Sequence, residues 1–197
     1  MIHHFINKNH KYTFVLLHGT GADEFDLIPL AENVAPDYNI LSLRGRVKEN
    51  GMNRFFKRLT IHKFDLDSVR EETAYILNFL HEAKQKYAID NFVFLGYSNG
   101  ATMISSFLLE DQALIKGAVL LQPGLLKTPL TFPQNNELSV FISVSNNDPY
   151  LPISSQKQLI NALNTSFSVA ISRHEGGHGL PQTVFTDLYQ FLKITFN

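Results

Sequence analysis

The sequence predicts an α/β protein with a mostly parallel central sheet that is flanked by helices on both faces. Short, nearly continuous apolar segments recur along the chain, and such segments are typical of strands buried on both faces. Segments with helical spacing lie between them, and this alternation indicates right-handed βαβ units. The chain has 197 residues, of which 44% are hydrophobic. We therefore expect a single domain over residues 1–197.

Six segments are predicted to be strands and four to be helices. The strand segments are 12–17, 39–43, 91–96, 117–122, 139–144 and 166–172. The helical segments are about 68–87, 99–110, 154–164 and 181–193. In the first helix, Val69, Thr73 and Ile76 follow the spacing of an amphipathic face. Ser68 and Glu71 match a capping box at its start.

Composition and charge argue against several classes of function. The 17 Lys and Arg residues balance 18 Asp and Glu residues, so the overall charge favours neither a nucleic-acid nor a membrane partner. The chain has no cysteine, which excludes disulfides and thiolate metal sites. Its first residues lack the pattern of a signal peptide, and no apolar run reaches the roughly 18 residues of a membrane span. We expect a cytoplasmic protein.

The segment GYSNG, residues 96–100, matches the G-x-S-x-G pattern of a nucleophile elbow. In that turn, glycines allow close backbone approach and the serine projects from the tip. The pattern alone is weak, because it occurs by chance in roughly one chain of this size in twenty. Its position directly between a predicted strand and a predicted helix makes it specific. We predict that Ser98 is a nucleophile, the alternative being an exposed serine in a glycine-rich turn.

A serine nucleophile needs a base to take its proton, and the base needs an acid to orient it. In an α/β-hydrolase the acid and then the histidine follow the serine along the chain. Asp148 lies just past one predicted strand and His178 lies in a glycine-rich loop after the next. Both residues should reach the sheet edge that carries Ser98. The sequence predicts a Ser98, Asp148 and His178 triad, although Asp148 taken alone would be interpreted as a turn residue.

The segment HEGGH, residues 174–178, also matches the H-E-x-x-H signature of zinc proteases. Its two histidines would face one metal only if the segment were helical. Gly176, Gly177 and Gly179 oppose a helix, since each helical glycine costs about 1 kcal/mol relative to alanine. We expect a loop without a metal, in which His178 is the base.

The oxyanion of acyl transfer requires preorganised hydrogen-bond donors. One expected donor is the backbone N–H of Asn99, the residue after the serine. The second is expected in the loop after the first clear strand, where Gly19 and Gly21 flank Thr20 and free its backbone. A plain glycine turn is the alternative. His18 is expected to be a structural histidine of this loop.

Residues 43–63 contain seven of the 17 Lys and Arg residues and only one acid. The segment follows a predicted strand, where loops line the pocket of such a fold. We predict that Phe55 and Phe56 form apolar walls of the pocket. Arg44, nearest the strand end, is predicted to meet a polar or anionic group of the substrate. The alternative is a solvated basic surface that the two phenylalanines anchor.

Together these segments resemble the phospholipase/carboxylesterase family of α/β-hydrolases, in particular its small bacterial-type carboxylesterases. The matching segments, in family order over nearly the whole chain, are LLHGTGADEFDLIPLA, LSLRGRVKENGMNRFF, FLGYSNGA, NNDPYLP and EGGHGL. The resemblance implies a triad of Ser98, Asp148 and His178, with Thr20 and Asn99 at the oxyanion hole. It implies ester hydrolysis without a metal or cofactor. Homodimers are frequent in the family.

We therefore expect a serine carboxylesterase that cleaves small carboxylic esters through an acyl-enzyme intermediate. Its expected partner is a small-molecule ester, with no nucleic acid and no membrane. A thioesterase is one alternative, because acyl transfer to water uses the same residues. A catalytically silent α/β-hydrolase that acts as a small-molecule receptor is another, which an intact triad disfavours.

Overall fold

The computed structural model describes residues 1–60 and 63–196, and its centre is a seven-stranded sheet. The elements are β1 (His3–Ile6), β2 (Tyr12–Leu17), α1 (Ile28–Val34), β3 (Asn39–Leu43), β4 (Val47–Glu49), β5 (Met52–Arg54), β6 (Arg58–Thr60), β7 (Lys63–Phe64), α2 (Leu66–Lys86), β8 (Asn91–Tyr97), α3 (Asn99–Glu110), β9 (Ile115–Leu121), β10 (Ser139–Ser145), α4 (Ile153–Ser166), β11 (Ser168–His174) and α5 (Gln182–Phe196). The strand order in the sheet is β1-β3-β2-β8-β9-β10-β11. β1 runs antiparallel to β3, and the other neighbours are parallel. The predicted mostly parallel sheet is confirmed.

Two apolar cores lie on opposite faces of this sheet. Phe14 and Leu16 of β2 pack with α1 and α5 on one face. Val15 and Leu17 of the same strand pack with α2, α3 and α4 on the other face. Successive side chains of a strand point to opposite faces, so a strand covered on both sides must be apolar at every position. This is why the strands appear in the sequence as continuous apolar runs.

The boundaries of the main elements lie close to those predicted, but the predicted capping box is wrong. α2 begins earlier, and its N-cap is Asp65, which accepts hydrogen bonds from the N–H groups of Asp67 and Ser68. A carboxylate at this position satisfies two free backbone donors and faces the positive end of the helix dipole. The Ser68 hydroxyl instead accepts a hydrogen bond from the Lys57 N–H at 3.0 Å.

Several short elements were not predicted. They are the edge strand β1, the seven-residue helix α1, and the two hairpins formed by β4 with β5 and by β6 with β7. Both hairpins begin in the basic segment 43–63, and β7 ends one residue past it. Within the described ranges, no helix is both long enough and apolar enough to cross a membrane.

Candidate active site

Ser98 occupies a strained turn between β8 and α3. Its φ is 52° and its ψ is −109°, and a positive φ is uncommon for any residue other than glycine. The turn is held by the Ser98 N–H, which donates to the Leu121 carbonyl at 2.8 Å. A Cβ atom at Gly100 would lie 2.0 Å from the Leu17 carbonyl oxygen, and one at Gly96 would lie 2.6 Å from the Gly100 carbonyl carbon. Both glycines of the predicted elbow are therefore required by close backbone contacts.

The structure brings together the three side chains that the sequence singled out. The Ser98 Oγ is 2.9 Å from the His178 Nε2, and the His178 Nδ1 is 2.7 Å from the Asp148 Oδ2. The Asp148 side chain is fully buried, whereas that of His178 is one-fifth exposed. The second Asp148 oxygen accepts the Tyr150 N–H at 2.8 Å. The aspartate is thus fixed on both oxygens, and the imidazole is left with one edge facing the serine.

His178 lies in a loop of bends and turns, as predicted. Two side chains hold this loop in place. The Tyr97 hydroxyl donates to the His178 carbonyl at 2.7 Å, and the Gln122 side-chain amide donates to the Gly177 carbonyl at 3.0 Å. His174 is buried at the end of β11, so HEGGH is not helical. Among residues 1–60 and 63–196 no group of three or more possible ligands is placed to hold a metal ion.

The peptide between Gly19 and Thr20 is oriented by His18. The Gly45 N–H donates to the His18 Nε2 at 3.0 Å, so the ring proton is on Nδ1. That Nδ1 donates to the Gly19 carbonyl at 2.6 Å. The C=O and N–H groups of a planar trans peptide point in opposite directions. The N–H of Thr20 is therefore directed away from the His18 ring, and Thr20 itself is one of the residues that line the cavity around Ser98.

A cavity of about 550 Å³ surrounds Ser98. It borders His178, whose ring lies 5.4 Å from the Tyr97 ring and 5.1 Å from the Tyr150 ring, measured between centroids. Thr20 and Asn99, the two residues expected at the oxyanion hole, also line the cavity. The lining further includes Asp26, Arg54, Arg58, Phe64, Thr102, Gln122 and Gly124.

The predicted substrate contacts of Arg44, Phe55 and Phe56 are wrong. None of the three is among the residues that line this cavity. The Arg44 guanidinium donates to the Glu24 carboxylate from its Nε and from a terminal nitrogen. Phe55 and Phe56 are fully buried in the core. The Phe55 N–H donates to the Asn99 side-chain oxygen at 2.8 Å, so Phe55 supports the start of α3 rather than the substrate.

The position of β3 in the sheet explains this error. β2 separates β3 from β8, so a residue directly after β3 lies away from Ser98. Arg44 in fact extends the pairing of β3 with β1, since its N–H donates to the Ile2 carbonyl at 3.0 Å. The hairpins then bring Arg54 and Arg58 back to the cavity. The basic segment 43–63 does reach the cavity, but the arginines that line it are Arg54 and Arg58 rather than Arg44.

The arrangement of parallel strands and helices around a serine at a strand-to-helix turn is that of an α/β-hydrolase. A family model described as Phospholipase/Carboxylesterase matches residues 5–196. The chain belongs to this family and is a hydrolase.

Individual relatives are consistent with this family. MhqD of Bacillus subtilis (strain 168), named as a hydrolase, is 36% identical over 171 residues, which cover 85% of this chain and 86% of MhqD. The carboxylesterase of Bacillus cereus superposes with a TM-score of 0.93 at 34% identity, covering 98% of this chain and 94% of that chain. YahD, solved with malic acid, superposes with a TM-score of 0.90 at 29% identity, covering 98% of each chain.

Two buried histidines should make the stability of the fold depend on pH. Burial lowers the pKa of His18 and of His174 from the ordinary value of 6.5. Between the lowered value and 6.5 the unfolded chain binds more protons than the folded chain, so the free energy of unfolding decreases as the pH falls. We expect this decrease in urea unfolding from about pH 7.5 to about pH 5.5.

The variant His174→Asn should reduce this pH dependence, because it removes one of the two titrating histidines. Asparagine is chosen because its side-chain amide oxygen can replace the His174 Nδ1 as the acceptor for the Gly176 N–H. A free energy of unfolding that stayed constant or increased on acidification would contradict the prediction. So would a His174→Asn slope as steep as that of the unaltered chain.

Proposed function

We propose that this hydrolase is a serine carboxylesterase that cleaves small carboxylic esters through an acyl-enzyme intermediate. In this proposal Ser98 is the nucleophile, His178 is the general base and acid, and Asp148 orients the imidazole. The single observation that carries it is the continuous hydrogen-bonded series from the Ser98 Oγ through both ring nitrogens of His178 to Asp148, at 2.9 and 2.7 Å. Hydrogen-bond reach between nucleophile, base and orienting acid is the geometry that activates a serine.

The reaction follows from the positions of these atoms. The Ser98 Oγ attacks the ester carbonyl carbon while the His178 Nε2 takes the hydroxyl proton. The carbonyl oxygen becomes an oxyanion, which the N–H groups of Thr20 and Asn99 stabilise. The alcohol then leaves with the proton from Nε2, and Ser98 carries the acyl group. Water, deprotonated by His178, releases the carboxylic acid, and the proton returns to Ser98.

The start of α3 adds to the stabilisation of negative charge. Asn99 is the first residue of this twelve-residue helix, so its N–H belongs to the unpaired donors at the positive end of the helix dipole. The Asn99 side-chain oxygen does not take up this backbone N–H, because it accepts the Phe55 N–H instead. The backbone donor is therefore available to a ligand in the cavity.

The size of the cavity and the relatives support small esters as substrates. A volume of about 550 Å³ suits a ligand of small-molecule size. The Bacillus cereus relative is itself a carboxylesterase. YahD was solved with malic acid, and a carboxylic acid is the class of product that ester hydrolysis releases.

Replacing the proposed nucleophile should abolish ester hydrolysis. Ser98→Ala and His178→Ala should each lower kcat/KM for p-nitrophenyl butyrate by roughly ten-thousand-fold or more, and Asp148→Asn should be severe, because triad members act as a unit. Ser154→Ala, a change at an exposed serine of α4, is the matched control and should retain full activity. Circular dichroism should show that all variants fold. Comparing kcat/KM for matched thioesters with that for the esters shows whether the enzyme prefers an alcohol or a thiol as the leaving group.

An organophosphonate should label Ser98 stoichiometrically, and peptide mapping by mass spectrometry locates the label. Substantial activity in Ser98→Ala, or labelling of another residue, would refute the assignment of the nucleophile.

Activity should not require a bound metal. Since HEGGH is a loop, prolonged chelation should leave kcat/KM unchanged, and His174→Asn should be mild in comparison with His178→Ala. Elemental analysis that found one zinc ion per chain, together with loss of activity on its removal, would contradict this prediction.

A further inference from the structure

One part of the cavity is cationic. Arg54 at the end of β5 and Arg58 at the start of β6 both line it. Glu49 is shared between them, with one carboxylate oxygen 2.7 Å from the Arg58 Nε and the other 3.3 Å from the Arg54 Nε. Two guanidinium groups and one carboxylate leave a net charge of +1 on this cluster.

Arg54 is the buried member of the cluster, and hydrogen bonds hold its side chain in place. Its side chain is 3% exposed. Its Nε donates to the Phe56 carbonyl at 3.1 Å, and one terminal nitrogen donates to the Thr20 hydroxyl at 2.7 Å. Burial lowers the pKa of Arg54, because a cation loses its hydration there. A negative charge in the cavity would offset that loss.

Arg58 offers the accessible donors of the cluster. Its side chain is 29% exposed, and Glu49 occupies its Nε. Its terminal nitrogens have no hydrogen-bond partner within the parts of the chain that the structure describes. The edge of a guanidinium formed by its two terminal nitrogens can bind a carboxylate through two parallel hydrogen bonds. Arg58 can therefore bind a second carboxylate without releasing Glu49.

The two arginines and the His178 ring have different neighbours in the cavity. Arg58 pairs with Phe64 across the β6–β7 hairpin, and Phe64 lies beside Gly124. The His178 ring lies beside the rings of Tyr97 and Tyr150, and burial first, and then the charges of Asp148 and Asp26, raise the pKa of Tyr97. The surroundings of the His178 ring are therefore aromatic and acidic, whereas Arg54 and Arg58 form a separate, cationic part of the lining.

The chemistry of the proposed function assigns the two halves of an ester to different parts of the cavity. The tetrahedral carbon carries the serine oxygen, the oxyanion, the leaving oxygen and the acyl substituent. His178 must donate its proton to the leaving oxygen, so the alcohol half lies beside the His178 ring and the acyl substituent is directed away from it. Arg54 contacts Thr20, whose N–H is a proposed oxyanion donor, so the acyl half is assigned to the side of Arg54 and Arg58.

We propose that the enzyme prefers esters whose acyl half carries a second carboxylate, the monoesters of short dicarboxylic acids, and that Arg58 and Arg54 bind this carboxylate. The proposal rests on the proposed function. It transfers to these two arginines the anion contact that the sequence alone suggested for Arg44.

The test compares kcat/KM for monoethyl succinate with that for ethyl succinamate, its neutral isostere, and repeats the pair with the one-carbon-longer glutarate derivatives. The unaltered enzyme should prefer the carboxylate by about tenfold or more on at least one chain length, which corresponds to one charge-assisted contact of about 1.4 kcal/mol. Arg58→Gln should reduce this ratio about tenfold, and Arg58→Lys should retain part of it. Arg44→Gln is the matched control, since Arg44 also pairs with a glutamate but lies outside the cavity, and it should leave the ratio unchanged.

A further substrate tests which half of the ester the arginines bind. In 3-acetoxypropanoate the carboxylate is on the alcohol half, and Arg58→Gln should not lower its kcat/KM selectively. Equal rates on the charged and neutral ethyl esters, or a ratio that Arg58→Gln does not change, would overturn the proposal while leaving the esterase function intact. If Ser98→Ala hydrolysed ethyl succinamate as fast as the unaltered enzyme, the proposed function itself would fail.

Discussion

The close contact between α3 and β2 is the constraint on which the site depends. The Gly100 backbone lies so near the Leu17 carbonyl that a Cβ atom would be 2.0 Å from its oxygen. This contact fixes the start of α3 beside the end of β2. Asn99 follows the serine on α3, and Thr20 lies just past β2, so both backbone N–H groups are set by the same pair of elements. The strain at Ser98, of order 1–3 kcal/mol for such a conformation, is maintained by this packing.

The sheet order explains how three distant parts of the chain meet. Ser98 follows β8, whereas Asp148 and His178 follow β10 and β11, so β9 lies between the serine and its partners. Gln122, directly after β9, bridges this gap by donating to the Gly177 carbonyl. Tyr97 donates to the next carbonyl, that of His178. Two neutral side chains therefore place the imidazole without adding charge beside it.

Local patterns were sufficient to predict much of this architecture. Continuous apolar runs predicted the central strands, and chain order predicted which polar residues would share an edge with Ser98. Glycines in 176–179 correctly predicted a loop in place of a zinc-binding helix. These predictions held because each depends on backbone preferences over a few residues or on the geometry common to all parallel sheets.

The errors came from contacts between segments distant along the chain. Arg44 and Phe55 follow a strand, but only the pairing of β1 with β3 and the course of the hairpins decide which side chains reach the cavity.

Hydrolysis through an acyl group on Ser98 is the step on which the proposed function depends, and methanol partitioning tests it most directly. Ethyl and phenyl esters of one acid, hydrolysed with methanol present, should give the same ratio of methyl ester to free acid, because both form one acyl-enzyme. A ratio that depended on the leaving group would contradict the account.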